Sequence, residues 1–324
     1  MVASLGGRDA PHRPVLLRET LDLLRVTHGG LFVDGTLGLG GHTEAILESS
    51  PDTRVVGFDR DSEALRFATE RLSKFGNRFR GVQTNFREID RVLTETESKD
   101  VSGVLVDLGV SSLQLDSPQR GFSFRFEAPL DMRLDATGDD ETAAELLQRL
   151  PEEEIARIIF EYGEERRSRR IARRIVERRE RGQPVTTTSE LAELVAKAVG
   201  YSKAQKIHPA TRTFQALRIA VNQELEGLDR FVETAVDLLK PNGRFAAISF
   251  HSFEDRIIKR ELRRLAGYCQ CAPRLPVCVC GARTEIEILT RRPVTAGADE
   301  VDENPRARSA KLRVARKLEK ESEP

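Results

Sequence analysis

The chain has 324 residues, 39% of them hydrophobic and 32% charged, and its 52 lysines and arginines balance 52 aspartates and glutamates. That length predicts one large domain with an insertion, or two domains. No apolar run approaches the roughly 20 residues of a membrane helix, and residues 1–13 hold no apolar signal core, so the protein is expected to be cytoplasmic with no membrane partner. The neutral balance carries no global nucleic-acid signature, and phosphate recognition has to come from clusters of arginine, which outnumbers lysine 42 to 10 and forks onto phosphate oxygens.

Short apolar strands are predicted at residues 31–34, 55–59, 79–83 and 101–107, with amphipathic helices at 42–48 and 61–74. This alternation predicts a parallel sheet covered by helices on both faces. Ligands of such sheets sit beyond the carboxyl ends of the strands, where Gly38, Gly40, Asp59, Asn85, Phe86 and Asp107 fall. From Leu115 to about Ala210 the chain turns helical and strongly charged, too long for a connection and therefore an inserted helical subdomain, residues 115–210. Residues 1–114 and 211–324 form the flanking parts of the main domain. Strand character returns at 243–250, 285–289 and 311–318, for an α/β sheet of about seven strands, mostly parallel.

The first strand runs into Asp34-Gly35-Thr36-Leu37-Gly38-Leu39-Gly40-Gly41-His42. Glycines there allow positive φ and close backbone approach to a ligand, and the next helix presents unpaired N–H groups. A dinucleotide turn reads G-x-G-x-x-G. Here Gly38 and Gly40 follow Asp34 at +4 and +6, which resembles the first motif of class I (Rossmann-like) S-adenosylmethionine-dependent methyltransferases, with Thr36 in place of their usual first glycine. Asp59, ending the second strand, suits a ribose diol. Asp107, ending the fourth, can face a methionyl ammonium or a substrate amine. Ser111 and Ser112 beyond it offer acceptors to a base edge or cap a helix. His251 follows a later strand, as a proton shuttle or as the cap of the next helix. Arg120-Gly121-Phe122-Ser123-Phe124 and Pro129-Leu130-Asp131-Met132-Arg133 join aromatics, on which a flipped base can stack, to arginines.

Residues 163–182 hold nine arginines against four glutamates, and residues 304–320 hold seven basic residues against one acidic. Each is a candidate phosphate surface, or else a solvated face and a strand. All four cysteines lie in Cys269-Gln270-Cys271 and Cys278-Val279-Cys280. Four thiolates so close suggest a structural zinc knuckle, although C-x-C is tighter than the usual chelate, and free thiols or a labile disulfide are the alternatives.

His12-Arg13-Pro14-Val15-Leu16-Leu17, the glycine-histidine turn, Asp107 to Gln114, Arg120 to Arg133, Ile207 to Arg218, Ser249 to Arg256 and Asn304-Pro305-Arg306-Ala307-Arg308-Ser309, in this order, together resemble the RsmH (also called MraW) family. Glu127-Ala128 departs from the aspartate and glycine often found there. The resemblance implies S-adenosylmethionine-dependent methylation of cytidine N4 at position 1402, in the decoding centre of 16S rRNA. It implies Gly40, Gly41, His42, Asp59, Phe86, Asp107 and Gln114 around the cofactor. Asp107, Ser111 and His251 are then expected to draw on the hydrogens of the amine, with the small ribosomal subunit as partner and DNA excluded. A non-catalytic S-adenosylmethionine-binding assembly factor for the small subunit is the alternative.

Overall fold

A computed structural model of the chain describes residues 14–93, 97–111, 114–115, 117–200, 208–271 and 279–319. His12, Arg13, Ser112, Leu113, Ile207, Cys278 and residue 320, named above or within the ranges given there, lie outside the described residues. Strands β1 (Gly30–Asp34), β2 (Thr53–Asp59), β3 (Phe79–Gln83), β4 (Val101–Asp107), β5 (Leu239–Ser249), β6 (Ile286–Ile288) and β7 (Lys311–Lys317) form one sheet in the order β3-β2-β1-β4-β5-β7-β6. Strands β1 to β5 are parallel, and β7 runs antiparallel to both its neighbours. This is the sheet of the class I methyltransferases. The chain steps outward from β1 to β3 and then crosses back to β4 on the other side of β1, so the strand order reverses between β1 and β4. In open α/β sheets that switch point leaves a crevice for ligand.

Both sheet faces are covered, which explains why β1 and β4 read as nearly unbroken apolar runs. Successive residues point to opposite sides. Leu31, Val33, Phe245 and Ala247 share a core with Phe231 and Val236, whereas Phe32, Ala246 and Ile248 pack with Ile46 and Leu72. The helices on these faces are α1 (Leu17–Leu24), α2 (Gly41–Glu48), α3 (Ser62–Leu72) and α4 (Ile89–Val92) before β4, and α10 (Leu228–Leu238) and α11 (Ser252–Leu265) after it, with α12 (Ala298–Glu303) preceding β7 in the chain.

Between β4 and β5 lie α5 (Ala143–Arg149), α6 (Glu152–Gly163), α7 (Ser168–Glu180), α8 (Thr188–Val199) and α9 (Ala210–Asn222). They bury a separate core that includes Ile159, Ile171, Ile175, Leu191, Val195 and Phe214. Capping boxes start α5 (Thr142 with Glu145) and α8 (Thr187 with Glu190). Gly163 ends α6 against α9: a Cβ there would lie 2.6 Å from the Arg212 carbonyl oxygen, so only glycine lets the two helices approach this closely.

Because this core is separate from the two that flank the sheet, Ile159→Ala, at a fully buried position of α6, is expected to lower stability by about 2–5 kcal/mol. The loss is read as a lower urea midpoint of the helical circular-dichroism signal.

Candidate active site

The turn after β1 is fixed by its neighbours on both sides. Gly35 N–H donates to the Leu105 carbonyl at 2.8 Å, and Leu37 N–H donates to that of Phe58 at 2.8 Å. Gly38 and Gly40 take φ of 52° and 77°, the left-handed region that glycine enters without strain. Asp34 lies beneath, accepting from the Thr43 hydroxyl at 2.7 Å and Thr36 N–H at 3.1 Å. Burial pushes its carboxyl up to about 6, against the pull of these two hydrogen bonds. Asp59 accepts from Gly38 N–H at 2.7 Å and Asp61 N–H at 2.9 Å. It too is pushed up to about 6 by burial, with the Asp61 and Asp34 charges adding to the effect. The strand-end carboxylate therefore holds the glycine turn in place.

Asp107 is different. Its backbone N–H donates to the Thr36 hydroxyl at 2.6 Å, so the threonine that stands in place of the motif's first glycine ties the β1 and β4 ends together. Its Oδ1 is buried with no hydrogen-bond partner among the described residues. Burial first, then the charges of Asp34 and Glu254, raise this carboxyl well above its ordinary value. His42 is nearby, its Nδ1 3.8 Å from Asp107 Oδ2. Its Nε2 lies 3.0 Å from the Val15 carbonyl, which can only accept, so the proton sits on Nε2.

The other walls of this crevice of about 380 Å³ come from Phe86, Ser111, Gln114, Arg218, Phe250 and Glu254, among others. Its size suits a small ligand. Phe86 is set by edge-on contact with Phe231, ring centroids 4.6 Å apart. Gln114 accepts from Ser111 N–H at 2.9 Å and donates to Asp61 at 2.9 Å, and Arg120 donates to the same Asp61 oxygen at 3.1 Å. The loop after β4 is thus pinned to the one after β2. The end of α9 is held in the same way: Arg60 donates to the Asn222 carbonyl at 3.1 Å, and Arg87 to those of Gln223 and Glu224 at 2.7 and 3.0 Å. Arg218, paired through two 2.8 Å hydrogen bonds to Glu224, therefore reaches the crevice from the helical unit.

Of the residues singled out in the sequence, Gly38, Gly41, His42, Asp59, Asn85, Phe86, Asp107, Ser111 and Gln114 come together around this crevice. Gly40 turns its Cα toward α3, where a Cβ would meet Leu72 at 3.0 Å. His251 caps α11: its Nδ1 accepts from Glu254 N–H at 3.5 Å, and its Nε2 lies 2.9 Å from Glu254 Oε1. Glu254 is the member of that pair that lines the crevice. Burial would raise its carboxyl, but the His251 ring, the Arg218 guanidinium and Phe250 N–H outweigh this and hold it below its ordinary value. Glu254 and Arg218 lie in the segments Ser249 to Arg256 and Ile207 to Arg218 but were given no role of their own, and Asp61 and Glu224 were not singled out. The local sequence signals for these residues are the cap position of Asp61 ahead of α3 and the three-residue spacing of His251 and Glu254.

Several arginines of residues 163–182 are engaged within the fold. Arg179 donates to the Leu147, Gln148 and Leu150 carbonyls that end α5, at 2.8–3.0 Å, and Arg178 pairs with Glu190. In β7, Arg313 pairs with Asp255 at 2.7 Å and Arg316 with Glu287 at 2.7 Å. Arg306 reaches the crevice. The sulfurs of Cys269, Cys271 and Cys280 converge, and they lie outside the crevice.

A carboxyl raised on folding binds more protons in the folded state. Asp34 and Asp59, both near 6 against an ordinary 3.8, should therefore stabilise the ligand-free protein most fully below about pH 4 and lose that contribution as pH rises toward 6. Asp59→Asn is expected to flatten the slope of urea-unfolding free energy over this window; an unchanged slope would count against the assignment.

The family model for MraW methylases matches residues 9–318. The ribosomal RNA small subunit methyltransferase H of Geobacter sulfurreducens is 55% identical over 309 residues, covering 95% of this chain and 99% of that one. The protein of the same name from Carboxydothermus hydrogenoformans is 49% identical over 307 residues, covering 95% and 98%. Among solved structures, an rRNA methylase from Streptococcus thermophilus aligns with a TM-score of 0.39 at 12% identity, over 96% of this chain and 100% of that one. With a class I sheet, a crevice at its switch point and a family match over nearly its whole length, this chain is a methyltransferase belonging to the MraW methylase family.

Proposed function

We propose that the chain transfers a methyl group from S-adenosylmethionine to N4 of a cytidine in small-subunit ribosomal RNA, position 1402 in the decoding centre of 16S rRNA, and acts in the cytoplasm. The observation that carries this reading is the buried, unpartnered Asp107 oxygen at the switch point. A carboxyl left this way calls for a cation or an N–H donor from a ligand, and a methionyl ammonium or an exocyclic amine supplies one. Relatives about half identical over their whole length bear the name of small-subunit rRNA methyltransferases.

S-adenosylmethionine supplies a methyl carbon made electrophilic by a cationic sulfur. Asp59 would accept from the ribose hydroxyls, Phe86 flank the adenine, and Gly40, Gly41, His42 and Gln114 shape the rest of the pocket. The amino group of cytosine is a weak nucleophile because its lone pair is delocalised into the ring, so placement for in-line attack has to supply most of the acceleration. Asp107 and Ser111 would accept hydrogen bonds from the amine, and the Asp107 carboxylate would take the proton released as N4 gains the methyl group. His251 acts through Glu254, keeping that carboxylate charged beside Asp107. Residues 115–210, as a substrate-recognition subdomain, would receive the RNA, with the arginines of 163–182 not engaged within the fold facing phosphates.

The test is transfer of labelled methyl groups to small-subunit rRNA from cells lacking this chain, with mass mapping of the product. One methylated cytidine in the decoding centre is expected, and Asp107→Asn should lower the rate at saturating cofactor by about 100-fold or more. A protein that binds small subunits but transfers no label would be an assembly factor, which would overturn this reading.

A further inference from the structure

The segment that leaves α11 returns to where it left. Ala266 pairs with Thr284 in an isolated antiparallel bridge, and Glu285 N–H donates to the Leu265 carbonyl at 2.8 Å, just ahead of β6. None of the described residues between them is buried. A finger whose described residues bury no side chain needs another source of cohesion, and in small structures that source is a covalent or metal crosslink.

Three sulfurs occupy the place where a core would be. The Sγ atoms of Cys269, Cys271 and Cys280 lie within 4.8 Å of one another, and those of Cys269 and Cys280 are 3.8 Å apart. Zinc–thiolate bonds of about 2.3 Å set at tetrahedral angles put neighbouring sulfurs roughly 3.8 Å apart, whereas a disulfide requires about 2.05 Å. Backbone N–H groups are aimed at two of the sulfurs, from Cys271 to Cys269 Sγ at 3.4 Å and from Val279 to Cys271 Sγ at 3.3 Å. Such donors stabilise the negative charge of a metal thiolate. An all-sulfur set favours zinc over magnesium or calcium.

We infer that Cys269, Cys271 and Cys280 bind a structural zinc ion that closes this finger, at a site that takes no part in methyl transfer. The fourteen residues of α11, at about 1.5 Å each, set its crevice end roughly 20 Å from the end that carries the cysteines. Three thiolates leave the fourth position of a tetrahedral site to water or a further donor.

The test uses the full chain, purified under reducing conditions without added chelator. Elemental analysis should find one zinc per chain, and the Cys269→Ser/Cys280→Ser variant should retain less than a tenth of it, with unchanged affinity for S-adenosylmethionine. Cobalt substitution of the wild-type protein should give the strong visible bands of a tetrahedral thiolate site, and Cys271→His, which keeps a zinc ligand, should still bind metal. Amide exchange across residues 266–285 should speed up on zinc removal while that of β1 to β5 stays the same. The inference is overturned if the wild-type chain holds no zinc and all its thiols react equally fast with or without added zinc. It is equally overturned if intact mass shows a disulfide in the reduced preparation. Either result leaves the methyltransferase reading untouched, because it concerns neither RNA nor the cofactor crevice.

Discussion

Three aspartates end three neighbouring strands where the sheet order reverses, and the crevice depends on how their charge is buried. Each is answered differently. Asp34 is satisfied internally by a hydroxyl and a backbone N–H. Asp59 is turned into a brace for the glycine turn. Asp107 keeps one oxygen without a partner among the described residues. A buried carboxyl in this condition is costly, and the cost falls on the ligand-free protein, where burial pushes all three carboxyls upward and neighbouring charges add to it at Asp59 and Asp107. A cationic ligand removes that cost on binding, so affinity and local instability have the same origin. Stability is recovered in the three apolar cores.

Glu254 completes the electrostatic pattern. It is as deeply buried as the aspartates, yet His251, Arg218 and a backbone N–H hold it charged. Two carboxyls sharing one crevice are thereby driven in opposite directions, a separation that proton-transfer sites commonly exploit. The guanidinium that contributes to this comes from α9, so the helical unit takes part in the electrostatics of the crevice as well as in its shape.

Much of this was legible in the sequence. Strands β1 to β4, α2 and α3 fall within a few residues of where apolar alternation placed them, because those signals are local: a run of buried residues, a glycine turn, a capped amphipathic helix. The ends of the strands were legible for the same reason, so most of the residues named for the crevice do gather there. What escaped was non-local. Nothing near Asp61 indicates that its side chain will receive Gln114 and Arg120 from more than fifty residues away. Nothing near Arg60 or Arg87 indicates that each will grip the main chain at the end of α9. His251 could be read as proton shuttle or as helix cap; the fold makes it the cap and brings its partner Glu254 to the crevice. Thr36, in place of the first glycine usual in class I methyltransferases, takes on a role that only the position of β4 reveals.

The grip of Arg60 and Arg87 on α9 has a thermodynamic consequence. These two side chains spring from loops that border the ligand crevice, and their carbonyl partners end the last helix of the inserted unit. A load on the helices and a ligand in the crevice would therefore act on the same short stretch of backbone. By linkage, whatever one contributed to the other's affinity would be returned in equal measure. Such coupling would need no domain to swing.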